Sequence, residues 1–143
     1  MPQDVSVLTT GADWAWPMAL RDIFQPVGVN LMVVDGVNQF VNVLRHRRIA
    51  ATIVDTDTAP STGSGRAGAT KQQGGLWTLK IIRVEYPQIP CIVLTSEPTE
   101  ILLEEALQLE AFSVIPKPFD MRILKEQLNR LFVRKYSSHI FSF

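Results

Sequence analysis

Residues 51–60 read ATIVDTDTAP, and this stretch decides how the chain folds. The run Ala51–Val54 is apolar apart from Thr52, and it stops at Asp55. That is the pattern of a short strand covered on both faces. The same pattern recurs in Val5–Leu8 before Thr9-Thr10-Gly11 and in Val29–Val34 before Asp35-Gly36. It returns in Ile89–Leu94 before Thr95-Ser96 and in Phe112–Ile115 before Pro116-Lys117-Pro118.

Helical patterns fill the intervals. Asp13–Phe24 carries Pro17 near its start, where proline is tolerated, followed by Leu20, Ile23 and Phe24. Val37, Phe40, Val41 and Leu44 fall on one helical face. Leu76, Leu79 and Ile82 form a stripe that stops at Pro87, and Ile101–Leu109 forms another with Glu100, Glu104 and Glu105 toward solvent. A last helix starts at Asp120 as N-cap, with Phe119 placed to staple against Leu124, and continues through Leu128, Leu131 and Phe132. Every acid before residue 84 is an Asp, whereas every later acid except Asp120 is a Glu. Because Glu suits helix interiors and Asp suits caps and turns, the second half is expected to hold the more regular helices. Strand–helix repeated five times predicts a doubly wound, five-stranded parallel α/β sheet. The working site of such a sheet lies beyond the carboxyl ends of its strands.

The composition narrows the function. The chain has 143 residues, 46% of them hydrophobic and 20% charged, which excludes a disordered polyelectrolyte. Fourteen basic residues balance fourteen acidic ones, against a domain that grips nucleic acid through its phosphates. The single Cys91 forms neither an internal disulfide nor a zinc site alone. No apolar run approaches the ~18 residues of a membrane span, and no targeting segment is visible. The expectation is a cytoplasmic domain over residues 1–136, with no membrane and no nucleic-acid partner, followed by a tail at 137–143. Within it, residues 60–75, PSTGSGRAGATKQQGG, read as a flexible Gly/Ser-rich insertion, since βα connections usually take about 2–6 residues.

Three residues stand at neighbouring strand ends: Asp55, Thr95 and Lys117. A carboxylate nucleophile, with a hydroxyl and an ammonium to hold phosphoryl oxygens, makes a plausible phosphoryl site. An isolated Asp after a strand is ordinarily a turn or cap residue, so the weight lies on the set of three, closed by Lys117-Pro118-Phe119.

With these residues in place, the sequence resembles the receiver domains of bacterial two-component response regulators, which have the flavodoxin-like fold of the chemotaxis regulator. ATIVDTDTAP (51–60), GGLWTLKIIRVEYPQIPCIVLTS (74–96) and AFSVIPKPF (111–119) carry the resemblance. It implies Asp55 as phospho-acceptor, Thr95 as switch hydroxyl and Lys117 as the lysine that pairs with the phosphoryl group. It further implies a histidine kinase or phosphotransfer protein as donor, Mg²⁺ as assistant, and a downstream protein bound through the last two helices and the strand between them. Thus the chain is expected to be a phosphorelay signalling domain, not an enzyme beyond self-catalysed phosphoryl transfer and autodephosphorylation.

The sequence also departs from that pattern. Receivers end their first strand with two magnesium-binding acids, where this chain has Thr9 and Thr10. Replacing two carboxylates with hydroxyls weakens the attraction for a hard dication. Asp13 or Asp57 would compensate, unless Asp13 simply caps the first helix. Val114 stands where an aromatic usually moves with the switch threonine; Phe112 would face the same way in a regular strand, but it sits lower and reads as a core residue. These departures keep open an alternative, a pseudo-receiver that binds partners without phosphorylation.

A third reading is that DTDT (55–58) resembles the DxDxT signature of haloacid-dehalogenase-like phosphohydrolases, with Asp55 as nucleophile and Asp57 as general acid/base. Thr95 or Ser96 and Lys117 would match further motifs of that family, but its final pair of metal-binding acids is missing. Within the receiver reading, Asp57 is instead placed to orient an attacking water and shorten the life of an acyl phosphate. The cluster Arg45-His46-Arg47-Arg48 reads as the end of a helix, where positive charge suits the dipole. Trp14, Trp16 and Trp77 read as partly buried packing residues, with Trp14 and Trp16 also placed to roof the site left by the absent acids. The tail SSHIFSF (137–143) has two aromatics that would dock on a partner or a second copy, giving a homodimer. No output domain is visible after the last helix, so output is expected in trans.

Overall fold

A computed structural model describes residues 5–10, 15–57 and 71–137, without the side chains of 15 and 71–75. The elements follow in the order β1 (Val5–Thr10), α1 (Ala15–Phe24), β2 (Val29–Val34), α2 (Val37–His46), β3 (Ala51–Asp55), α3 (Lys71–Glu85), β4 (Cys91–Thr95), α4 (Glu100–Gln108), β5 (Ser113–Pro116) and α5 (Met121–Tyr136). A short 3-10 turn, Gln25–Val27, links α1 to β2. It closes at Gly28, whose φ of 77° lies in the left-handed region where a side chain would be strained.

All strands are parallel, in the order β2-β1-β3-β4-β5. This is the five-stranded, flavodoxin-like receiver topology. The sheet is sandwiched because its central strands are apolar on both faces. Ile53, Ile92, Leu94 and Ile115 point to a core shared with Leu20 and Phe24 of α1 and Leu124, Leu128, Leu131 and Phe132 of α5. Val54, Cys91 and Val93 point the other way, against Phe40 and Leu44 of α2, Leu79 and Ile82 of α3, and Ala106 of α4. Alternate residues of one strand therefore feed two cores, as the two-residue repeat of a strand requires.

Capping sets where the late helices start. Asp120 accepts from the backbone N–H of Arg122 at 2.9 Å to open α5. Thr99 accepts from the N–H of Leu102 at 3.1 Å to open α4. The basic cluster ends α2 as expected, with a 2.8 Å hydrogen bond between His46 Nδ1 and the carbonyl of Asn42.

Three expectations need correcting. Helix α3 begins at Lys71, so the last five residues of the stretch read as an insertion, 71–75, are helical; residues 60–70 lie outside the described residues. Trp77 is 57% exposed, because α3 turns Leu76, Leu79 and Ile82 inward and leaves the adjoining position to solvent. Phe112 and Val114 face opposite cores, since β5 only begins at Ser113 and strand alternation does not reach back to Phe112. Asp13, Trp14 and the tail beyond Ser137 also lie outside the described residues. No helix among the described residues is long and apolar enough to cross a membrane.

Candidate functional site

Parallel pairing brings the carboxyl ends of β1, β3, β4 and β5 to one edge of the sheet. Asp55 is paired with Leu94 and Thr95 with Pro116, so Asp55, Thr95 and Lys117 are successive steps across that edge. The backbone N–H of Lys117 donates to the Thr95 carbonyl at 2.7 Å, which ties the lysine-bearing link to β4. A cis peptide joins Lys117 to Pro118.

The Asp55 side chain is completely buried, yet it is not isolated. Lys117 Nζ lies 2.7 Å from its Oδ2, and the ammonium-bearing side chain is itself only 16% exposed. Trp16 Nε1 donates to the same Oδ2 at 3.3 Å, and the backbone N–H of Asp57 donates to Oδ1 at 2.9 Å. Three donors thus converge on one buried carboxylate, as charge burial demands.

Lys117 serves a second acid. Its Nζ is 2.9 Å from Asp57 Oδ2, while Ser96 Oγ donates to Asp57 Oδ1 at 2.7 Å. Burial opposes the charge on Asp57, but the Lys117 and Ser96 hydrogen bonds and the lysine charge outweigh it, holding the carboxyl below its usual range. Burial likewise opposes the charge on Lys117, and the hydrogen bonds and charges of Asp55 and Asp57 reverse this, pushing the ammonium above its usual value. Two carboxylates therefore share one cation.

Thr95, fully buried, accepts from the N–H of Glu97 at 3.0 Å, which places its hydroxyl at the mouth of β4 and ties it to the loop before α4. The first-strand positions are occupied differently from acids. Thr10 Oγ1 accepts from the backbone N–H of Asp55 at 2.9 Å, and Thr9 Oγ1 donates to the Thr10 carbonyl at 2.7 Å. Both hydroxyls hold backbone, and both residues are buried.

These contacts test whether the described residues suit the magnesium implied by the resemblance. Mg²⁺ requires a near-octahedral set of oxygens and favours carboxylates. The two acids at hand, Asp55 and Asp57, are already bridged by an ammonium, and no group of three or more His, Cys, Asp and Glu gathers among the described residues. The described residues alone do not make a magnesium site. For the same reason the metal-binding acids of a phosphohydrolase are not assembled among them.

The sequence therefore anticipated the three residues at the strand ends and placed Trp16 near the site. It missed the sharing of Lys117 between two acids, and the hydroxyl of Ser96 on Asp57. Only the adjacency of Ser96 to Thr95 signalled the latter.

Comparison with known proteins agrees with the geometry. The sequence model of the response regulator receiver domain family matches residues 69–129. The signal receiver domain of an HD domain-containing protein from Pseudomonas fluorescens Pf-5 superposes with a TM-score of 0.78, at 20% identity, over 95% of this chain and 100% of that one. A CheY-like response regulator receiver domain protein from Methanospirillum hungatei JF-1 gives 0.79 at 15% identity, over 94% and 98% of the two chains. A response regulator from Thermotoga maritima gives 0.72 at 19% identity, over 90% and 98%. No protein of curated function matches the sequence. The sheet order and these superpositions agree that the chain has the receiver fold, and its residues 69–129 match the response regulator receiver domain family.

Proposed function

We propose that the chain is an atypical receiver that accepts a phosphoryl group on Asp55 and thereby changes its protein contacts. The observation that supports this best is the buried Asp55 carboxylate paired at 2.7 Å with Lys117, next to the Thr95 strand end. A carboxylate oxygen of Asp55 attacks the phosphorus of a phosphohistidine on a histidine kinase or phosphotransfer protein. The new O–P bond forms as the P–N bond breaks, and the imidazole leaves with the electron pair and takes up a proton. Lys117 then neutralises phosphoryl oxygens and Thr95 donates to one. Hydrolysis returns the carboxylate when water attacks phosphorus, and Asp57 is close enough to Lys117 to orient that water. The positive charge at the carboxylate comes from Lys117.

A second reading has a specific observation in its favour. Thr9 and Thr10 are committed to backbone, and the Asp55 carboxylate already accepts from Lys117, Trp16 and the Asp57 N–H, as in a site that holds its shape without phosphorylation. Amide NMR of the protein, titrated with magnesium and then with beryllofluoride, separates the two. Shifts centred on Asp55, Thr95 and Lys117, absent in Asp55→Asn, are expected of a phosphorylation-competent switch. A spectrum that does not respond refutes it and leaves a binding module.

A further inference from the structure

The strand ends and Lys117 account for two of the donors around Asp55, but the third comes from elsewhere. Trp16 lies in the first turn of α1, and its indole N–H reaches Asp55 Oδ2 at 3.3 Å. The ring also meets Phe119 edge-on, with centroids 6.2 Å apart and planes at 68°. Phe119 sits two residues beyond Lys117, in the link to α5, and both aromatics pack on the core shared by α1 and α5. One indole thus spans from the helix after β1 to the segment that carries the lysine, covering Oδ2 on that face.

We infer that Trp16 is a gate on Asp55. Its N–H occupies a lone pair that a nucleophile must expose, and its ring fills the space next to the oxygen it caps. A phosphoryl group on that oxygen brings three further oxygens, and a neutral indole with a single donor can satisfy only one of them. For an oxyanion to arrive, the indole must release Oδ2 and swing away from Phe119. In the closed position Lys117 is the only charged partner of Oδ2 among the described residues. The consequence for rate rests on Asp55 being the phosphoryl acceptor, whereas the closed contact does not.

The test uses Trp16→Phe, which keeps an aromatic ring for Phe119 and removes the donor and part of the bulk. Protein is incubated with acetyl phosphate and modification is followed by intact mass, with Asp55→Asn as the control. Labelling is expected to be about tenfold faster in Trp16→Phe, the scale of one hydrogen bond to an ionised group. A urea midpoint close to wild type would show that the fold is kept. Equal or slower labelling in the variant overturns the gate while leaving Asp55 as acceptor. If neither protein is labelled, the acceptor role fails, and the gate is judged by NMR. The Trp16 Nε1 proton, assigned by its loss in Trp16→Phe, is expected to move upfield and exchange faster with solvent in Asp55→Ala. A resonance unchanged in position and exchange overturns the gate.

Discussion

Replacing Lys117 with Met tests the shared cation at the centre of the site. Methionine keeps most of the aliphatic volume but removes the charge that Asp55 and Asp57 divide. Asp55 is completely buried, so among the described residues its carboxylate would be left with only the Trp16 indole and the Asp57 amide. Removing one partner of a buried pair costs about 3–5 kcal/mol. The Lys117 side chain is 16% exposed, which places the expected loss at the lower end, about 3 kcal/mol. For a chain of this size, that lowers the melting temperature by roughly 10 °C.

The diagnostic quantity is the coupling to Asp55. With Asn at position 55 no buried charge is stranded, so Lys117→Met forfeits only the partly exposed pair with Asp57, about 1 kcal/mol. Urea unfolding of wild type, both single variants and the double variant should therefore give a coupling energy of about 2 kcal/mol. A coupling below about 0.5 kcal/mol would falsify the idea that Lys117 balances a charge at Asp55.

Other outcomes follow from the same contacts. Asp57→Asn should lengthen the phosphorylated half-life of Asp55 several-fold, read by loss of the acyl phosphate in mass spectra; an unchanged or shorter half-life refutes water orientation by Asp57. The folded Asp57 lies below the ordinary value of 3.8, so its contribution is present above that pH and is lost as pH falls through the depressed value. The Lys117 contribution is complete below 10.5 and is lost as pH rises through its raised value. Burial pushes the Cys91 thiol up to about 11 from 9.0, so stability declines above pH 9, where the unfolded thiol ionises first. Cys91→Ala should flatten that decline in urea midpoints taken from pH 8 to 10, and an equal slope in both proteins contradicts it. Leu128→Ala, in the core under α5, should cost about 2–5 kcal/mol, whereas Val84→Ser at 79% exposure should change stability by less than about 0.5 kcal/mol in the same assay.

Much of this architecture could be read from the chain alone. Each strand is an apolar run ended by a polar residue, and a parallel doubly wound sheet gathers those ends at one edge, so Asp55, Thr95 and Lys117 could be placed together before any contact was seen. The stop at Pro87 and the cap at Asp120 are local chemistry and fell where expected. The start of α3 at Lys71 was hidden because Gly74 and Gly75 read locally as a breaker, while packing of Leu79 and Ile82 on the sheet outweighs that preference. Phe112 packs on the core as its low position in the strand suggests, but it faces away from Val114, because alternation predicts facing only inside a regular strand and β5 begins at Ser113.

What the sequence determined, then, was which residues end the strands and what chemistry they carry, because strand patterns are local and parallel topology has few solutions. Only the tertiary structure decided how those groups are spent. Whether the ammonium of Lys117 serves one acid or two depends on where the turn after β3 carries Asp57, and the reach of Trp16 to Asp55 depends on how α1 seats against α5. Both are separations across 39 to 62 residues of chain, set by packing of whole elements and by the electrostatic demand of a buried carboxylate for donors.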